Sequence, residues 1–429
     1  MTNDAQQNRN GEGESSSFKE IIKSLGPGLI TGASDDDPSG IVTYSIAGAA
    51  FGYSTLWTAL ITFPLMAGVQ VICARIGLVY GCGLAAVMRK SFPKKLVYAA
   101  IISLLIANTV NAAADMQAIA AGINMLVPVP IIVLVLPIAV VILVVQIWGT
   151  YKTIEKIFRW LTLSLFAYIA AALLAKPNWS EVLHGTFVPT FKFDGEFLST
   201  LVAILGTTIS PYLFFWQSNH EVEEKKAEDG AEPGNPSEKE LKNAVWDVNA
   251  GMLLSNVVMY FIILAGAATL HQSGNKEIES ATQAAEALKP VAGNAAYILM
   301  ALALIGTGVL AVPILTTSAA FSVAEAFGWK CGLDEKPGQA KEFYLVMAAC
   351  TLVALAIDYI GVNPMKALFV TAVINGFLSA PLLVGIMLVS NDRKIMGDQT
   401  NGLLLNILGW TTTALMSVAA IILVWTWFQ

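Results

Sequence analysis

Apolar residues in this chain come in long unbroken runs, not in the narrow stripes of an amphipathic soluble helix. Charge-free segments cover Ile131–Thr150, Phe197–Asn219, Gly251–Leu270, Val291–Ala324, Ala367–Asn391 and Thr400–Gln429. Each is long enough to cross a hydrocarbon core of about 30 Å as a helix. The pattern predicts eleven spans, near 21–51, 54–80, 95–126, 129–150, 154–175, 197–222, 243–271, 291–326, 341–360, 364–390 and 402–428. The runs recur down the whole chain, so one all-α transmembrane domain is expected over residues 21–429. Residues 1–17 are polar, rich in Gly, Ser, Asn and Gln, and lack the apolar centre of a signal peptide. They are expected to form a disordered cytoplasmic tail, ending near residue 20.

One stretch breaks this pattern: Ser34-Asp35-Asp36-Asp37-Pro38-Ser39-Gly40, set in the first apolar span. A carboxylate inside a membrane span costs at least a few kcal/mol, so three together imply a use. Pro38 and Gly40 would interrupt a helix here and free backbone carbonyls. A second interruption is expected at Thr207-Thr208-Ile209-Ser210-Pro211-Tyr212, five spans later and hence in opposite topology. Paired broken helices of this kind are how secondary transporters build cation sites near the bilayer midplane. Spans 1–5 and 6–10 are therefore expected to form an inverted repeat, with an eleventh helix added.

Composition agrees. Residues are 55% hydrophobic and only 13% charged, against about 25% charged in soluble domains. That makes the chain a multi-pass membrane protein and leaves no basic surface for nucleic acid. The net charge of −6 comes mostly from loops and the tail. With the N-terminus in the cytoplasm, nineteen Lys and Arg fall on cytoplasmic segments and five on external ones, with Arg75 inside span 2. That asymmetry supports both the count and the orientation in a cell membrane. The acidic segment Glu221–Asn243 reads as a mobile, solvated loop, and Asn178–Glu196 as an interfacial loop anchored by Trp179, Phe187, Phe191 and Phe193. Cys73, Cys82, Cys331 and Cys350 have no metal-site spacing and are expected to be free.

Ligand chemistry at the breaks is hard. His184, His220 and His271 fall at span ends or in loops, and the nearest methionines in sequence are Met66 and Met252. What remains is Asp carboxylate, Ser and Thr hydroxyls and backbone carbonyls, a set suited to Mg²⁺, Ca²⁺ or Mn²⁺. Mg²⁺ keeps several of its waters, so its site needs only one or two carboxylates. Asp37 is expected to be the charged ligand, with carbonyls from Gly40 and Ser210 and a hydroxyl or carbonyl from Thr207. Asp35 and Asp36 either hold a hydrated ion electrostatically or turn away to a partner, since adjacent residues cannot share one helix face. Asn108, Asn111 and Asp115 share a face of span 3, with Gln117 nearby. That face either lines a pathway or pairs with another span. Asp247, Asn249 and Asn375 are weaker candidates, with structural hydrogen bonding as the default.

These residues resemble the natural resistance-associated macrophage protein (Nramp) family. Gly26-Pro27-Gly28, Asp37-Pro38-Ser39-Gly40 and Phe51-Gly52-Tyr53 look like its first span, whose motif is Asp-Pro-Gly-Asn. Gly206-Thr207-Thr208-Ile209-Ser210-Pro211-Tyr212 resembles its sixth-span motif, and Ser390–Gly397 the loop after its tenth. The resemblance implies a LeuT-like fold and divalent-metal transport. Departures imply more. Gly40 stands where the family has a ligand Asn, and Ser210 replaces the Met that favours transition metals. Tyr212 and Gln217 occupy proton-path histidine positions, and Ala118 stands near an expected acidic residue. This combination resembles the Nramp-related magnesium transporters, which implies Mg²⁺ and Mn²⁺ uptake by alternating access without proton coupling. The rivals are a proton-coupled Mn²⁺ or Fe²⁺ importer, an amino-acid transporter on the same fold, and a divalent-cation channel. No Ser/Lys, Asp/Asp or His-Glu-x-x-His arrangement supports an enzyme. No cofactor is expected beyond the transported ion, and no partner beyond lipid; a monomer is expected.

Overall fold

Both interruptions are present as helix breaks. The computed structural model describes residues 26–149, 156–158, 161, 165–227, 234–274, 281–361 and 364–427. The expected tail, the start of span 1 and much of span 5 lie outside the described residues. Span 1 is two half-helices, α1 (Pro27–Asp35) and α2 (Pro38–Phe51). Span 6 is likewise divided into α9 (Gly195–Thr208) and α10 (Pro211–Ala227). In each case the second half begins on proline, which lacks the N–H that a first helical turn leaves unbonded anyway.

The remaining spans follow as α3 (Trp57–Tyr80), α5 (Lys94–Leu126), α6 (Ile131–Trp148), α7 (Phe166–Leu174, within span 5) and α11 (Glu238–Gly266). After them come α12 (Ala281–Phe327), α13 (Lys341–Ile360), α14 (Pro364–Ser390) and α16 (Leu403–Trp427). Three short helices were not expected: α4 (Leu84–Ser91), α8 (Trp179–Phe187) and α15 (Arg393–Met396). The α4 N-terminus is held by Glu325 on α12, which accepts from Gly83 N at 2.7 Å and Ala86 N at 3.3 Å. Within the segment read as an interfacial loop, α8 is capped by the Asn178 side chain. It buries Val182, Gly185 and Thr186 and leaves Leu183 and Phe187 exposed.

The acidic stretch after span 6 also differs from expectation. Helix α10 runs on to Ala227, with Glu221 and Glu223 buried. Glu221 accepts from Gln217 Nε2 at 2.8 Å; Glu223 accepts from Leu333 N at 2.8 Å and pairs with Lys226 at 3.0 Å. Glu and Lys are strong helix formers, and partners offset the cost of burying them. His220 is correspondingly inside α10 and buried, against Trp216, rather than at a span end.

At one end of the bundle, α1 lies backbone to backbone on α11. A Cβ on Gly32 would overlap the Gly251 carbonyl, and one on Gly251 would overlap the Gly28 carbonyl. Asp247 on α11 accepts from Gly26 N at 2.8 Å and Gly28 N at 2.6 Å, satisfying the first N–H groups of α1. A carboxylate at that positive helix end is favourable twice over, as acceptor and as charge. Its structural role agrees with the default reading for Asp247.

Candidate metal-binding site

Three consecutive carboxylates leave the first break in three directions. Helix α1 ends at Asp35, and the chain passes through Asp36 (φ −85°, ψ 49°) and the extended Asp37 (φ −66°, ψ 167°) before α2 begins. Asp35 turns to α11, where Ser255 Oγ donates to its Oδ2 at 2.8 Å. Asp36 is buried with neither carboxylate oxygen hydrogen-bonded. Asp37 is the N-cap of α2: its Oδ1 accepts from Gly40 N at 2.7 Å and Ser39 Oγ at 2.6 Å. Its Oδ2 faces span 3 and span 6, accepting from Asn111 Nδ2 at 2.9 Å and, more distantly, Tyr212 Oη at 3.4 Å.

The breaks face each other across this carboxylate. Tyr212 Oη donates to the Ser34 carbonyl at 2.8 Å, so a residue of the second break satisfies a carbonyl freed by the first. Ser39 Oγ and Thr207 Oγ1 are 3.4 Å apart. The second break has its own hydroxyl partners: Ser210 Oγ donates to the Thr207 carbonyl at 2.6 Å, and Ser379 Oγ on α14 to the Ile209 carbonyl at 2.7 Å. Helix α1 ends here with its negative pole, and so does α9, which makes the gap between them favourable to a cation.

The structure therefore gathers Asp37, Thr207, Asn111 and Tyr212, but not every expected ligand in its expected role. Gly40 lies in the first turn of α2 and offers its N–H to Asp37; its carbonyl points along the helix. The Ser210 carbonyl already accepts from Leu213 N at 3.2 Å. Asn108 turns to α12, its Nδ2 donating to the Leu315 carbonyl at 3.1 Å. Gln117 donates to Asp358 on α13 at 2.8 Å, and Gln217 to Glu221, so both also act in helix pairing or along their own helix. Asn375 sits one turn before Ser379 on α14, next to the second break.

Sequence reasoning passed over Ser39, Ser379 and Ser255. Only Ser39 carried a signal, its place between Pro38 and Gly40.

Acceptor oxygens are in excess around the gathered residues. Asn111 Oδ1, both oxygens of Asp115, Asn108 Oδ1 and Asn375 Oδ1 are buried without a hydrogen-bond donor, as are both oxygens of Asp36. Among the described residues no three of His, Cys, Asp and Glu come together to chelate an ion directly. A bare ion would take a tight cage of ligands; a hydrated one presents water hydrogens and is held by acceptors at one remove.

An inverted repeat with two broken helices meeting at a buried carboxylate defines a membrane carrier of the LeuT-like architecture. The chain belongs to the Nramp family: residues 28–426 match the model of the natural resistance-associated macrophage protein-like family. It is 25% identical to a divalent metal cation transporter, MntH, of Klebsiella pneumoniae over 401 residues, 91% of each chain. A manganese transporter of Eremococcus coleocola has a similar fold, with a TM-score of 0.76 at 20% identity, over 95% of this chain and 87% of that one. A nucleobase-cation symporter, Mhp1, is similar at a TM-score of 0.57 and 12% identity, over 94% and 92% of the two chains.

Proposed function

We propose that this protein is a carrier of divalent metal cations that takes up Mg²⁺, and Mn²⁺ with it, as partly hydrated ions, by alternating access and without moving protons. The reading is carried by Asn111, whose Nδ2 donates to Asp37 while its Oδ1 is buried without a donor, and by the buried, unpartnered Asp115 carboxylate one turn further along α5. The waters of a hydrated ion would supply the hydrogens that Asn111 Oδ1 and the Asp115 carboxylate lack. The MntH and manganese-transporter relatives share the coarser class, divalent-metal transport; Ser210 and Gly40 argue for the harder ion within it. The groups hydrogen-bonded to the Asp37 carboxylate, from Ser39, Gly40, Asn111 and Tyr212, carry no sulfur, and Ser210 stands in the second break in place of a methionine. Cd²⁺ should therefore compete poorly for Mg²⁺ binding by calorimetry. Cd²⁺ binding orders of magnitude tighter than Mg²⁺ would mean that a sulfur reaches the ion.

The second break offers no group that changes charge near neutral pH. Tyr212 titrates near pH 10 in water and Gln217 not at all. The nearest acid beyond them on α10 is Glu221, nine residues from Tyr212, roughly 14 Å along the helix axis. Uptake should then follow the ion gradient and the membrane potential, carrying two charges per ion. Proteoliposomes holding an internal pH dye test this. Mg²⁺ entry should leave the interior pH unchanged; acidification that tracks entry, and disappears in Asp115→Asn, would establish the proton-coupled alternative. The distribution of Lys and Arg supports a cytoplasmic N-terminus for the carrier.

A further inference from the structure

Arg75 is the one charged residue of α3, five residues and so roughly 8 Å from its end. It is half-buried, and both of its hydrogen bonds leave from Nη2, to the carbonyls of Gln399 at 2.9 Å and Thr400 at 3.5 Å. Among the described residues no carboxylate pairs with it. Nη1 and Nε are thus left to meet another acceptor, and the fork they form matches the geometry of a phosphate or carboxylate.

The guanidinium lines an open pocket of about 440 Å³ between α3, the first turns of α11 and the start of α16. Two features of its walls decide what fits. Lys242 brings a second positive charge; its pairing with Glu238, also on the wall, is 3.8 Å long with both side chains largely in solvent. An exposed pair of that kind is weak and leaves the ammonium available. Apart from Gln399, the rest of the wall is apolar, from Leu241, Val245 and Leu405, and leads out to Trp246, which is 79% exposed. Leu403 and Leu404 beside it face outward at 80% and 69% exposure. An exposed tryptophan at the end of a span marks the headgroup level of a bilayer. Basic pockets between membrane helices at that level recognise anionic lipid.

We propose that this pocket binds an anionic phospholipid, with Arg75 taking the phosphodiester, Lys242 assisting, and the acyl chains lying along Leu241, Val245 and Leu405. The inference does not depend on which ion is transported. The test uses the full chain in a neutral detergent, with thermal unfolding and native mass spectrometry as the readouts. Phosphatidylglycerol should raise the unfolding midpoint and stay bound in the mass spectrum, where phosphatidylcholine does neither. Arg75→Gln should lose both effects. Because Arg75 also holds the Gln399 carbonyl, the double variant Lys242→Gln with Trp246→Ala, altering exposed side chains only, provides the control. It should fold like the parent and bind less phosphatidylglycerol. The proposal is overturned if phosphatidylcholine stabilises equally or inorganic phosphate alone reproduces the shift. Retention of phosphatidylglycerol at parental levels by both variants would overturn it too.

Discussion

Replacing Asp37 by alanine is expected to abolish Mg²⁺ uptake into proteoliposomes while the protein still folds. The carboxylate is the meeting point of three donors, Ser39 Oγ, Gly40 N and Asn111 Nδ2, with Tyr212 Oη 3.4 Å away and closer to the Ser34 carbonyl. Its removal takes away the negative charge between the two broken helices. It also strips α2 of its N-cap, a loss of about 1 kcal/mol that a domain of this size tolerates. Losing a buried partner of a charge costs 2–5 kcal/mol or more, which is about thirty-fold to several-thousand-fold in affinity. Asp37→Asn separates the two contributions. The amide oxygen can still accept from Gly40 N and cap α2, but the charge is gone, so flux should fall nearly as far with less effect on stability. Parental flux in either variant, measured at limiting Mg²⁺, would remove Asp37 from the site.

What could be read from the residues alone depended on how local the cause was. Both breaks were legible because proline at the start of a half-helix and small or charged residues before it act within a few bonds. The direction of each aspartate was not. It follows from the backbone angles of the two linking residues, Asp36 outside the regular regions and Asp37 extended, a change of direction too short to leave a period in the sequence. Asn108 and Asn111 illustrate the same limit: one helix face carries both, yet one reaches Leu315 and the other Asp37. Only the position of the facing helices decides between them. The buried carboxylates of α10 were misread for a related reason. Glu221 and Glu223 are paid for by Gln217, Lys226 and the Leu333 N–H, and the last of these lies more than a hundred residues away.

The tight contact between α1 and α11 supplies the second large expected effect, one in which two general rules predict opposite signs. Gly251 lies in the interior of α11, where exchange for alanine ordinarily stabilises a helix by up to about 1 kcal/mol. Here the new Cβ would overlap the Gly28 carbonyl. Backbone on both sides cannot yield as a side-chain tip would, so α1 must move away from α11. Overpacking of this kind costs about 1–3 kcal/mol. The displacement would also pull Gly26 N and Gly28 N from Asp247, leaving two buried donors without their acceptor at about 1–3 kcal/mol more. The packing loss exceeds the helical gain, so Gly251→Ala should lower the unfolding midpoint and reduce Mg²⁺ flux severalfold. Flux falls because α1 carries Asp35 and leads directly into the ion site. Gly195→Ala is the matched control: nothing lies within 4 Å of its Cβ, so it should leave flux unchanged and the unfolding midpoint no lower than the parent's. A Gly251→Ala protein as stable and as active as the parent would show that α1 does not need to lie this close to α11.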